Sequence, residues 1–281
     1  MKKLSKKAFS RIDIISYAGN IVLKKDSEKN GVHFDKTNTN NISYSIIGDT
    51  LTIKETDPVG FFGLYIDENG FSFRGLRHIF NTGNRINSSK TITVFVPNDT
   101  VLDEIEIASS IGNVKIDGVS APEVNISSSL GKILIENTTD ETSKFIVKGN
   151  FTDVELKNCL YSNCSVSTKF GEIIANLPIH KEQSTILDVW CGSVEVKTEL
   201  PCENYKLNLS TTIGEVLYNQ KSQGKKMNEA GKTTSRISSS IFLGKFKLTC
   251  KDKEESATSI TQDTETTDEP PLSQVETSIS F

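Results

Sequence analysis

The sequence predicts an all-β protein of the β-solenoid class: a single-chain, β-helix-like stack with rungs of about 20 residues and an N-terminal β-strand cap. Three observations lead there. An eight-residue unit, small-small-apolar-Gly-x-apolar-x-apolar, occurs as Ser109–Ile116, Ser128–Ile135, Thr168–Ala175, Val189–Val196, Thr211–Tyr218 and Ile241–Leu248, and a seventh copy, Gly149–Leu156, has Thr152 where the others have Gly. Counted on its fourth position the unit falls at 112, 131, 152, 171, 192, 214 and 244, in steps of 19, 21, 19, 21, 22 and 30. Apolar residues elsewhere alternate with period two, and no segment of useful length shows helical spacing.

In chain order, residues 1–10 read as a basic tail, with Lys2, Lys3, Lys6 and Lys7 around Leu4, Ala8 and Phe9. Residues 11–100 read as the strand-rich cap: Ile12/Ile14, Ile21/Leu23, Val32/Phe34, Ile42/Tyr44/Ile46, Leu51/Ile53 and Ile92/Val94/Val96 alternate between Gly, Asn and Asp breaks. Inside it lies an aromatic cluster, Phe61, Phe62, Tyr65, Phe71 and Phe73, followed by Arg74, Arg77, His78 and Arg85. This is the candidate interaction surface. The competing structural reading has the same aromatics plugging an open end of the stack.

Residues 101–250 hold the repeats. Each unit is preceded by a second strand, as in Ile105/Ile107, Val124/Ile126, Phe145/Val147, Cys164/Val166 and Leu207/Leu209, with Thr185 and Ser239 as departures. A two-strand unit cannot bury its own apolar side, so rungs stack about 4.8 Å apart and equivalent positions form continuous columns. Ile111, Leu130, Phe151, Phe170, Cys191, Ile213 and Leu243 are expected to form one interior column, with Val114/Ile116, Ile133/Ile135 and their equivalents forming the next. The structural residues are Gly112, Gly131, Gly171, Gly192, Gly214 and Gly244, at a bend that needs positive φ or close approach of the next rung. Thr152 breaks that rule, so its rung is expected to bend differently or to be strained. Asn219–Thr234 reads as a polar surface loop, and residues 251–281 as a disordered acidic tail.

Charge excludes some function classes. The tail holds eight acids and two lysines, so of the net −4 the body carries −4 − (−6) = +2. A near-neutral body lacks the basic face that nucleic acid requires. Five cysteines, at 159, 164, 191, 202 and 250, match neither a zinc-knuckle nor a C-x-x-C spacing. Free buried thiols in a reducing compartment are expected. No apolar run reaches the about 20 residues of a membrane span, and no signal-peptide core follows the basic start. The expected location is cytoplasmic, with a weak peripheral membrane contact through the N-terminal lysines as the alternative.

Chemistry is scarce. The histidines, at 33, 78 and 180, stand far apart, and no phosphate loop or nucleophile elbow is present, so no catalytic, metal-binding or cofactor-binding residue is assigned. The enzymatic alternative is a glycan-cleaving β-helix that uses carboxylates from successive rungs, with Glu172 and Glu215, both directly after a repeat Gly, as the pair to test. Cys191 beside Trp190 reads as core and not as a nucleophile.

The run Thr91–Ile135, with the strand ending Val96-Pro97 followed by the Gly unit and its strand partners, resembles a bacterial β-strand-repeat family known as putative adhesins, a domain of unknown function. The likeness extends over most of residues 11–250 and carries no catalytic residue. It implies a β-solenoid, often from Gram-positive bacteria, in some cases tethered to the membrane and associated with envelope stress; the absence of a membrane anchor departs from an adhesin role. The expected function is non-enzymatic: a binding or scaffold protein whose partner is another protein or an envelope component. Self-assembly into a cytoskeletal-type β-helix polymer is the alternative.

Overall fold

A computed structural model describes residues 2–3, 9–27, 31–35, 42–55, 66–67, 70–71, 90–178 and 182–251. Apart from a short 3-10 turn at Cys202–Asn204, its regular structure is β. One 15-stranded sheet holds the described strands except a two-stranded hairpin. In chain order these are β1 (Lys2–Lys3), β2 (Arg11–Ala18), β3 (Asn20–Asp26), β4 (Gly31–Asp35), β5 (Ile42–Ile47), β6 (Thr50–Glu55), the hairpin strands β7 (Ile66–Asp67) and β8 (Gly70–Phe71), and β9 (Thr91–Pro97). There follow β10 (Glu104–Ile111), β11 (Val114–Asp117), β12 (Glu123–Leu177), β13 (Ser184–Thr198), β14 (Lys206–Tyr218), β15 (Lys221–Ser222), β16 (Lys226–Glu229) and β17 (Arg236–Cys250).

Each rung has two arms separated by the repeat glycine. Rungs pair in parallel and in register: Ile105 stands between Ile12 and Val124, and Val114 between Ile21 and Ile133. Like side chains therefore fall above one another and bury each other. Ile12, Ile105, Val124 and Phe145 line the first arm, and Ile21, Val114, Ile133, Val154 and Ile173 line the second, all within one apolar cluster. Each such side chain contributes about 2 kcal/mol on leaving water. Thr185 and Ser239, the polar departures, stay inside because they find partners. The Thr185 hydroxyl meets Tyr161 Oη at 3.2 Å, and the Ser239 hydroxyl donates to the Leu187 carbonyl.

The rungs do not stack in chain order. β17 lies between β13 and β14, with Ile241 opposite Val189 on one side and Thr211 on the other. At the opposite end β2 and β3 lie inside a rung made of β6 and β9, which come later in the chain. Antiparallel strands close both ends: β5 on β6, β4 on β9, and β16 on β14, where Leu209 faces Met227. The segment 219–234, expected as a surface loop, thus includes an edge strand whose Met227 is buried. The long step of 30 residues provides the chain needed to cross the stack and return.

One further expectation changes. Cys202 and Cys250 form a disulfide, with Cα atoms 5.5 Å apart, joining the turn before β14 to the end of β17. The fold brings together two cysteines that are 48 residues apart in sequence. Cys159 and Cys164 remain free and buried, and burial pushes the Cys159 thiol up to about 11.

Of the two outcomes expected at Thr152, a different bend or strain, the first is found. It is not among the positive-φ residues, it is buried, and its hydroxyl donates to the Ser128 carbonyl. Gly149, three residues earlier, leaves the room: a Cβ there would collide with the Thr152 side chain. Glycine and side chain have exchanged places within this rung.

Candidate functional site

The site is built at the corner, where the two arms meet. At Gly112 φ is +138° and at Gly131 +145°, values that L side chains rarely adopt. A Cβ on Gly131 would fall on the Gly112 carbonyl, and one on Gly112 on that of Gly19. Conformation and close approach both demand glycine there. Polar side chains just past the bend complete the backbone bonding from rung to rung. Asn20 Oδ1 accepts from Asn113 N–H at 3.0 Å, Asn113 Oδ1 from Lys132 N–H at 2.9 Å, and Asp153 Oδ1 from Glu172 N–H at 2.9 Å.

The bend also changes which side chains face inward. In the rung of β10 and β11 the buried positions are Ile105, Ile107, Ser109 and Ile111 on one arm and Val114 and Ile116 on the other, a switch from odd to even numbers. The inner column at the corner is made of Ser16, Ser109, Ser128, Thr168, Val189, Ile241 and Thr211, all buried. The column expected inside is instead largely outside. Ile111 is buried, but Phe151, Phe170 and Cys191 are half-buried. Leu130 is 40% exposed, Leu243 43% and Ile213 53%. Straight alternation from Ile105 points residue 111 and its equivalents inward; Ile111 stays buried, and the turn at the glycine rotates its later equivalents out.

These residues, with Trp190 and Phe242 from the position before them, form an apolar ridge along the outer corner. Phe151 and Phe170 stack with centroids 4.7 Å apart, and Trp190 meets Phe170 edge-on at 5.3 Å. Trp190 in turn lies parallel to Phe242, within 10° and 5.6 Å away. Trp190 is 53% exposed and Phe242 43%. Asp188 and Ser240 flank this pair, with Asp188 Oδ1 accepting from Ser240 N–H at 2.9 Å; burial pushes the Asp188 carboxyl above its ordinary value. On the second-arm side the Ser193 hydroxyl donates to Glu172 at 2.9 Å, and Lys245 pairs with Glu215 at 2.8 Å.

That register separates the proposed acid pair. Glu172, Ser193, Lys245 and Glu215 stand on successive rungs. Three steps of about 4.8 Å place Glu172 and Glu215 about 14 Å apart, beyond the about 5–9.5 Å that glycosidic carboxylates span. Their Ser193 and Lys245 contacts are those of a solvated face. Among the described residues no group of three or more His, Cys, Asp or Glu could hold a metal ion, and no helix is long and apolar enough to cross a membrane.

Of the aromatic cluster Phe61, Phe62, Tyr65, Phe71 and Phe73, only the backbone of Phe71, in β8, falls within the described residues. Glu55 ends β6, and Lys90 precedes β9. The buried Glu55 carboxylate accepts from Ser16 Oγ and from the N–H groups of Tyr17 and Ala18. Lys90 Nζ lies 3.6 Å from Glu55.

Two solved structures are similar in part. One is a putative cell adhesion protein from Clostridium sporogenes, with TM-score 0.37 and 13% identity over 89% of this chain and 97% of that one. The other is a putative adhesin from Bacteroides fragilis, with TM-score 0.41 and 14% identity over 87% and 93% of the two chains. No curated protein matches the sequence. The family model Toastrack DUF4097 matches residues 9–254, nearly the whole described fold, and the chain belongs to that family.

Proposed function

We propose that this chain is a non-enzymatic binding protein that engages its partner through the outer corner ridge. The observation that carries this is the run of apolar side chains from Leu130 to Ile213, half-buried or exposed on rung after rung, with four aromatic rings in mutual contact at its centre. Folding is served by the inner columns and does not require large apolar groups outside, whereas contiguous exposed apolar surface marks interaction sites. In this reading the rungs of about 20 residues are a scaffold that repeats the corner, and the strands of residues 11–100 close one end. The aromatic cluster Phe61, Phe62, Tyr65, Phe71 and Phe73 would provide a second contact.

The partner is expected in the cell envelope. The Cys202–Cys250 disulfide supports this location, since such bonds persist in oxidising compartments and are rare in the cytosol. End-to-end polymerisation is less well supported, because a parallel stack extends by matching parallel edges and both ends here carry antiparallel strands.

The test compares wild type with a Phe170→Ser, Trp190→Ser, Phe242→Ser variant for retention on a washed bacterial envelope fraction. Retention of wild type alone, with unchanged circular dichroism, is expected. Equal retention of both would remove the ridge as the binding surface.

A further inference from the structure

The geometry points to a neutral polysaccharide as the ligand of the ridge, lying along the stack axis against Trp190 and Phe242. This rests on the corner being the binding surface. The two rings are stacked within 10° of parallel, with centroids 5.6 Å apart, and each is about half exposed, so together they present one aromatic surface beside the Phe170 ring, which stands at 88° to Trp190. A sugar ring has an apolar C–H face and a hydroxylated rim. The face packs on aromatic carbon through dispersion and the electron-rich π surface, while the rim needs donors and acceptors on either side. Both flanks provide them. Ser240 and Asp188 stand on the first-arm side, and Ser193 and Glu172 on the second.

Charge and backbone bonding argue against the other classes. Lys132, Lys169 and Lys245 border the ridge together with Asp153, Glu172, Asp188 and Glu215, three positive charges against four acids, so the flank has no cationic surplus. A nucleic acid, an anionic glycan or an anionic bilayer would require a cationic surplus. An extended peptide binds sheets by pairing with an unpaired edge, and here the rung backbones are already paired on both sides.

Trp190 is the single tryptophan of the chain, so its emission reports the platform directly. The full chain is titrated with a soluble β-glucan, a soluble mannan and chitohexaose, with anionic phosphatidylglycerol vesicles and polylysine as counter-probes. At least one neutral polymer should give a saturable blue shift that persists at high salt, because little charge is involved. Phe242→Ala should weaken it about tenfold or more, as loss of one stacking partner implies, with thermal unfolding unchanged. Trp190→Phe should retain binding by affinity electrophoresis, and Trp190→Ala should lose it. Absence of a shift with all three neutral polymers, or a shift insensitive to Phe242→Ala, overturns the inference. If a counter-probe binds instead and Phe242→Ala abolishes that binding, the ridge remains a docking surface and only the polysaccharide is wrong. If no probe depends on Trp190 or Phe242 and envelope retention is also unaffected, both readings fall.

Discussion

On the inner side of the corner Ser16, Ser109, Ser128 and Thr168 stand in register and almost wholly buried; on the outer side Leu130, Phe151, Phe170 and Trp190 are large, apolar and half-exposed. The usual rule of large apolar residues inside and small polar ones outside is reversed over a few residues. Space explains the inside. Two arms converge there and the backbones of successive rungs approach so closely at the glycine that only small or β-branched side chains fit. No such constraint acts outside, and nothing in the packing asks for rings there. The inner side is therefore fixed by folding, and the outer side is free to serve something else.

The comparison can be broken most sharply at the glycine between the two sides. Gly131→Val would force φ of +145° on a β-branched residue and drive its Cβ into the Gly112 carbonyl. The expected loss exceeds about 4 kcal/mol, and the protein should fail to give a cooperative melt. Gly118→Ala, in a turn with φ of +66° and open space around it, should cost only about 1 kcal/mol. Next in size is Ser128→Phe, neither small nor β-branched, which overfills the inner column and should cost about 1–3 kcal/mol by urea unfolding. Leu243→Ser, on the ridge, should cost under about 1 kcal/mol, because that side chain is already 43% exposed. If the ridge substitution proved the more damaging of the two, the ridge would be core and the distinction would collapse.

The smallest effect is with pH, and it acts only on the outer faces, since the serines and threonines of the inner column do not titrate. Hydrogen bonds from Lys132 and Lys157 hold Glu155 below its ordinary value of 4.5. Its contribution is present above that value and is lost as pH falls through the lower folded one. Lys115, held above 10.5 by its bond to Glu136, contributes below 10.5 and loses that contribution as pH rises through its folded value. Thermal melts should stay flat between these limits and decline gently beyond them, and lysine-to-methionine variants at 132 and 115 should flatten the acid and alkaline limbs respectively.

Much of the corner was legible in the residues themselves. Spacing alone located the bend glycines, and the alternating pairs on each arm identified Ile105, Ile107, Val114 and Ile116 as core. The ridge was missed because period-two reasoning treats a strand as straight. The signal lay in the change of parity between Ile107 and Val114, which strict alternation cannot carry across the glycine. The order of the last rungs was hidden for a different reason. β14 and β17 carry equivalent patterns, so either could pair with β13, and only the 30-residue step hinted that the chain crosses over. The disulfide follows from that crossing: Cys202 and Cys250 become neighbours only once β17 lies inside β14.

The tucked position of β2 and β17 decides how the molecule can come apart. In a stack wound straight through, the first and last rungs are outermost, and each can peel away by losing one ladder, as a thread is drawn from a hem. Here the rungs nearest the two ends of the described fold are held by ladders on both sides, β2 by β6 and β10, β17 by β13 and β14. A pull on either end, or a protease working inward from it, meets two interfaces at once, and at the far end a covalent bond as well. Such a protein does not fray rung by rung; it holds, and then yields as a block.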